Sequence, residues 1–239
     1  MGVNNSLPAE PLYVSSCACG EVQIEVRGEP AFVMTCFCDD CVSACYYVNE
    51  IAAAKGHKNI AGWEEGTKGV KCAMIHGAYM KVVKGKDQMT TFKCSEKAGN
   101  VRSYTTCCST QLANAGGKFG PIALRPMMAN TMQDAKSGVS FTRKAAARTM
   151  CGNANQEHVA AVPKDGVPCF KMAPWAMIFL MIKNVFLFFL QPGMGELAKD
   201  PVPWINGGTE NVSAVVPLSA YQAMGHKLHA KADGEKKMM

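Results

Sequence analysis

Twelve cysteines stand in this 239-residue chain, and seven of them fall into three short groups: Cys17-Ala18-Cys19, Cys36-Phe37-Cys38-Asp39-Asp40-Cys41 and Cys107-Cys108. Thiolate sulfur suits zinc, which takes four such ligands in a tetrahedron at about 2.3 Å. Along an extended chain residues i and i+2 point to the same face, so Cys17 and Cys19 can offer two sulfurs to one ion, with Gly20 leaving room for a tight turn. Cys36, Cys38 and Cys41 add a C-x-x-C turn to the same geometry, giving three ligands within six residues. A site with three protein ligands keeps one position for water or substrate, as catalytic zinc does, whereas structural zinc is closed by four. Cys45 or another cysteine could close it instead, which would make the site inert.

The adjacent pair is harder to place. Neighbouring side chains on a strand face opposite ways, so Cys107 and Cys108 reach one ion together only through a turn. Cys108 is assigned to the Cys17/Cys19 site. Cys107 is left with three roles: a close fourth ligand there, a ligand of the second site, or a redox partner of Cys108 in a vicinal disulfide. Cys72, Cys94, Cys151 and Cys169 read as small buried hydrophobes. His57, His76, His158, His226 and His229 show no ligand spacing and read as surface or core residues.

The elements that must position these groups read as mainly β. Val22, Ile24 and Val26 alternate with polar neighbours, the period of a half-buried strand, and a turn at Gly28-Glu29-Pro30 follows. Ala31 to Thr35 is a second strand running into the second cysteine group, and Tyr79 to Val83 a third. Met89 to Cys94 and Val101 to Tyr104 form a hairpin turned at Gly99-Asn100. The stretch between Cys45 and Tyr79 has no clear period and reads as a surface excursion anchored by Trp63. Asp39 and Asp40 fall in a loop. Thr142 to Met150, rich in Ala and Arg, reads as helical, and Gly152 to Pro168 as a linker.

These patterns divide the chain into a flexible stretch over 1–11, a zinc-binding β domain over 12–135, and a partly helical extension over 136–239. Within the extension, residues 174–191 form an apolar helix opened by Pro174 and closed by Pro192-Gly193. It falls short of the roughly 20 residues a bilayer span needs, and Lys183 near its centre costs about 2.5–3.5 kcal/mol on insertion scales. Packing on the β core is its simplest use. An interfacial contact with a protein or a membrane surface is the other. Ser219 to His229 reads as a further short helix.

A net charge of +6, concentrated partly in the tail Lys227 to Lys237, with no basic stripe carrying interleaved aromatics, argues against nucleic acid as a partner. Met1 to Pro11 lacks the features of a secretory signal, so the cysteines are expected as thiols in the cytoplasm rather than as an exported disulfide framework. The opening Met1-Gly2-Val3-Asn4-Asn5-Ser6 also fits the myristoylation template.

In order and content, Ser16-Cys17-Ala18-Cys19-Gly20-Glu21-Val22, then Cys36-Phe37-Cys38-Asp39-Asp40-Cys41, then Arg102-Ser103-Tyr104 running to Cys107-Cys108-Ser109-Thr110-Gln111-Leu112, resemble the family of the glutathione-dependent formaldehyde-activating enzyme and centromere protein V. The resemblance covers roughly residues 13 to 135. It implies a zinc-binding β-sheet fold in which the first and third elements build a structural site, and the middle one is a place where a thiol substrate meets a second zinc. The family has a histidine where Phe37 stands, a C-x-x-C where Thr105 to Cys108 stand, and a glycine where Ser109 stands. The adjacent-cysteine version resembles a subgroup of the fold.

The expected function is that of a zinc-dependent carbon-sulfur lyase acting on a small glutathione-type thiol adduct. Cys36, Cys38 and Cys41 would be its catalytic centre, with Asp39 or Asp40 moving a proton. The alternative is a non-enzymatic zinc module that contacts a protein or membrane surface through 174–191.

Overall fold

The computed structural model describes residues 10–57, 67, 69–94, 101–114, 124–152, 165–172, 174–175, 177–179, 182–183, 186 and 214–215. The proposed Gly99-Asn100 turn, Trp63, His158, the helix over Ser219 to His229 and the N-terminal myristoylation template lie outside these residues.

Two antiparallel-rich sheets build the fold. The smaller contains β1 (Tyr13–Ser16), β2 (Gln23–Val26), β5 (Met80–Lys84) and β10 (Met132–Asp134), in the order β10-β1-β2-β5. The larger contains β3 (Phe32–Cys36), β4 (Val70–His76), β6 (Met89–Lys93), β7 (Arg102–Thr105), β8 (Gln111–Asn114), β9 (Leu124–Met128), β11 (Ala147–Thr149) and β12 (Ala214–Val215). Its order is β11-β3-β4-β9-β8-β7-β6-β12, with the two outermost pairings parallel and the rest antiparallel. The fold is mainly β, as the sequence pattern indicates.

The alternation of side chains explains the layering. Ile24 and Val26 of β2, with Val22 just before the strand, face Val33, Ala73, Ile75, Leu112 and Met127 of the larger sheet in one core between the sheets. Phe32, Cys72, Met74 and Met128, the neighbours of those residues along the same strands, point to the other face and pack with Cys45. That second face is covered by α1 (Asp39–Ala54), which buries Val42, Ala44, Cys45, Val48 and Ala52. Because β4 is covered on both sides it reads as a continuous apolar run rather than an alternation.

This corrects the reading of the stretch between Cys45 and Tyr79 as a surface excursion. It begins inside a sixteen-residue helix and contains a central strand paired to both β3 and β9. Asp39 and Asp40 accordingly lie in the first turn of α1 and not in a loop. Residues Thr142 to Met150 are likewise not helical. The buried run Ala147–Thr149 forms β11, in parallel register with β3 from Ala147 opposite Met34 to Thr149 opposite Cys36.

Cys151 and Cys169 are not buried hydrophobes either, but are joined in a disulfide. The bond ties the end of β11 to a partner segment that also exchanges backbone hydrogen bonds with it, Arg148 N–H to the Pro168 carbonyl at 2.8 Å and Phe170 N–H to the Arg148 carbonyl at 2.9 Å. Cys72 and Cys94 are buried thiols as expected. His76 is buried with its ring against Tyr79, and His57 is exposed just beyond α1.

The apolar segment is helical at Trp175, Met177–Phe179, Ile182–Lys183 and Phe186. Met177 packs on the α1 side of the sheet, but Trp175, Phe179, Ile182 and Phe186 are exposed at 60% or more, so these four do not join the β core as the simplest reading had it. Among the described residues no helix is long and apolar enough to cross a membrane.

Candidate metal centres

The hairpin of β1 and β2 sets the first group. Its connection runs Cys17 to Val22, closed by Gly20 N–H to the Cys17 carbonyl at 3.0 Å and Cys17 N–H to the Val22 carbonyl at 3.0 Å, with Gly20 in the left-handed region at φ +77°. Cys17 and Cys19 thereby point together, their sulfurs 3.5 Å apart.

The adjacent pair reaches the same place because it does not sit on a strand. Thr106, Cys107 and Cys108 form a turn between β7 and β8, and Ser109, at φ +56°, reverses the chain while its N–H bonds the Thr105 carbonyl at 2.8 Å. The turn carries both sulfurs to one side, where they lie 3.9 Å apart as free thiols. Cys107 Sγ stands 3.4 Å from Cys19 Sγ and 3.9 Å from Cys17 Sγ. The four ligand atoms of Cys17, Cys19, Cys107 and Cys108 all lie within 4.8 Å of one another.

A tetrahedral zinc with arms of about 2.3 Å has sulfur–sulfur edges of about 3.8 Å, so the observed spacings fit a closed four-thiolate site with little adjustment. Donors face two of the four sulfurs, those of Cys17 and Cys108. Val22 N–H donates to Cys17 Sγ at 3.2 Å. Burial pushes the thiols of Cys17, Cys19 and Cys107 up. Burial acts on Cys108 in the same direction but is outweighed by hydrogen bonds from the Thr105 and Thr110 hydroxyls and from Cys19, which bring it down to about 6. Thr105 thus supports the Cys108 sulfur, and Cys107, two positions on, supplies a sulfur of its own.

The second group is built where β3 hands over to α1. Cys36 is the last residue of β3, Cys38 is the N-cap of α1 in extended conformation, and Cys41 lies in the first helical turn, its N–H bonding the Cys38 carbonyl at 3.0 Å. Strand end and helix start are held in register from outside by β11, since Phe37 N–H donates to the Thr149 carbonyl at 3.0 Å. Phe37 itself is buried, anchoring the link between the first two cysteines. The three ligand atoms lie within 4.8 Å of one another, and among the described residues no further Cys, His, Asp or Glu joins them. Cys45, a full turn further along α1, is directed instead toward Gln111 Oε1 at 3.5 Å.

Charge is arranged around this trio to favour thiolate at Cys41. The unpaired N–H groups of a helix start carry a partial positive charge. Cys38 N–H donates to Cys36 Sγ at 3.5 Å, and the buried guanidinium of Arg102 donates from Nη2 to Cys41 Sγ at 3.9 Å. The Cys41 thiol is held well below its usual range by hydrogen bonds from Cys36 and Cys38, against burial, with the Arg102 charge adding to the effect. Cys38 is pushed up by its hydrogen bonds to Cys36 and Cys41 and by burial. The residues therefore fit zinc: three soft sulfurs at ligand spacing, half-exposed at Cys38 and Cys41, with positive charge beneath. The two groups do not merge, and Cys107 goes with Cys17, Cys19 and Cys108 rather than with the second group.

Arg102 is the residue that sequence reasoning passed over as functional. It marked the resemblance, yet nothing in its own neighbourhood of the chain says that it crosses from β7 to the first turn of α1. The helix start itself was readable, since Asp39 and Asp40 precede buried positions Val42, Cys45, Val48 and Ala52 at helical spacing.

Residues 12–73 match the model of a protein family, described as the glutathione-dependent formaldehyde-activating enzyme. The matched segment carries Cys17, Cys19, Cys36, Cys38 and Cys41 and ends before the Cys107-Cys108 turn. No curated protein matches the chain in sequence.

Proposed function

We propose that the chain binds two zinc ions and works as a carbon-sulfur lyase on a small thiol adduct of the glutathione type. Cys17, Cys19, Cys107 and Cys108 serve as a closed structural site, and Cys36, Cys38 and Cys41 as the catalytic one. The observation that carries this reading is the difference between the two groups: four sulfurs at ligand spacing in one and three in the other, where a fourth position stays open. The family match over the first two groups adds to it.

Zinc held by the three sulfurs would supply Lewis acidity, which strongly favours the deprotonated form of a substrate sulfur. The chain's own residues do the rest. The α1 start and Arg102 favour the thiolate of Cys41, Phe37 and β11 fix the strand-to-helix corner, and Asp39 and Asp40 stand in the adjacent turn where a proton released by the adduct's hydroxyl can be taken up.

The decisive variant is Cys38→Ser. Adduct lysis should fall by on the order of a hundredfold or more with one zinc per chain retained, as expected for loss of a ligand at the reacting centre. Undiminished lysis in a folded Cys38→Ser protein would sink the assignment. A second reading, a non-enzymatic zinc module, is favoured by the exposed row Trp175, Phe179, Ile182 and Phe186, which suits contact with a protein or membrane surface. It predicts no lysis by the wild type and loss of that contact in Phe179→Asp.

A further inference from the structure

Arg102 projects from β7, between Phe92 of β6 and Asn114 of β8 in the sheet register, and its side chain is 1% exposed. Its Nε and Nη1 are buried with no hydrogen-bond partner among the described residues. The remaining nitrogen, Nη2, is directed at Cys41 Sγ at 3.9 Å and stands 4.0 Å from Asp40 Oδ2. A guanidinium in so dry a place is costly unless negative charge compensates it. Half-exposed Asp40 is a weak partner, so the compensation that matters comes from the cysteine trio.

Charge counting then gives the guanidinium a purpose. Three thiolates around a divalent cation leave one net negative charge, and a fourth anionic ligand makes two. With Arg102 beside Cys41 the trio and its ion are neutral, and the fourth ligand restores only one.

Resting on the reading of Cys36, Cys38 and Cys41 as a zinc site, we propose that Arg102 is a positioning residue that sets the open position to accept an anionic sulfur in preference to a neutral ligand. The incoming thiol releases its proton to solvent as it enters. A lysine would keep the charge but as a point charge on a different stem, without the guanidinium nitrogen that approaches Cys41 and Asp40.

The test uses the full chain loaded with cobalt(II), whose absorption reports ligand exchange directly, titrated with 2-mercaptoethanol as the anionic probe and imidazole as the neutral one. Arg102→Met should weaken 2-mercaptoethanol roughly ten- to a hundredfold while leaving imidazole within about twofold, and Arg102→Lys should recover most of the loss. Asp40→Asn, a change at a half-exposed position, should tighten 2-mercaptoethanol by about twofold, because it removes a competing negative charge. Unchanged thiol affinity in Arg102→Met, or equal loss for both probes, overturns the proposal. If Arg102→Met does not fold, Asp40→Asn decides, and the absence of any tightening counts against it. A wild-type chain that takes up only one cobalt sinks the three-cysteine site itself. Two cobalts with thiol binding indifferent to Arg102 sink the present inference alone.

Discussion

At Ser109 two costs meet in one side chain. Its φ of +56° places it in the left-handed region, where a side chain is disfavoured, and its buried hydroxyl has no hydrogen-bond partner among the described residues. The conformation is needed, because it turns the chain so that Cys107 and Cys108 face Cys17 and Cys19 together. Glycine would adopt it freely and remove the stranded hydroxyl, at the cost of more unfolded-chain entropy. Ser109→Gly should therefore stabilise the metal-loaded protein by about 1 kcal/mol, read as a higher midpoint in chemical denaturation. A lower midpoint would mean that the turn draws on the serine.

The elements divide the work unequally. A β-hairpin and a tight turn make the four-cysteine group, so both are local devices whose precision depends on the loops around them. Gly85, at φ +69° just beyond β5, backs onto the Cys17–Val22 connection: a Cβ there would run into the Glu21 carbonyl and press on Val22 Cγ2 at 3.0 Å. Lys84 Nζ meanwhile donates to the Gly20 carbonyl at 3.0 Å. Gly85→Ala should lower stability by about 1–3 kcal/mol and weaken metal binding at the four-cysteine group, leaving the other site's metal in place. Competition with a chromophoric chelator, resolved into the two sites, measures this. Equal weakening of both would show that the strain spreads through the fold.

The three-cysteine group depends on a longer reach across the molecule. β11 supports the strand-to-helix corner, and β11 is in turn fastened by the Cys151–Cys169 disulfide and by Arg148, whose buried guanidinium meets both oxygens of Asp165 at 2.8 and 3.0 Å. Arg148 holds the Asp165 carboxyl well below the usual range, first through these hydrogen bonds, with the Val167 N–H adding to them. A carboxyl depressed in the folded state stabilises fully above its unfolded pKa of about 3.9, and that stability fades as pH falls through the lower folded value. Asp165→Asn should thus melt at a lower temperature than the wild type at neutral pH, and the two melting curves should converge in acid below about pH 4. Parallel curves across that window would mean that the pair does not set the acid sensitivity.

From the sequence alone came the mainly β character, the strands around Val22–Val26 and Phe32–Thr35, the β6–β7 pairing and the grouping of seven cysteines into metal-ligand spacings. These are legible because strand alternation and i, i+2 ligand geometry are properties of a few consecutive residues. The β4 strand was not, since burial on both faces erases the alternation that marks a strand. Neither was the partner of Cys107: adjacent residues diverge on a strand and converge in a turn, and only the left-handed Ser109 decides which. The Cys151–Cys169 bond and the approach of Arg102 to Cys41 likewise join residues far apart in the chain. Spacing along the chain fixed which atoms could be ligands, and the packing of the sheets and α1 decided which of them meet.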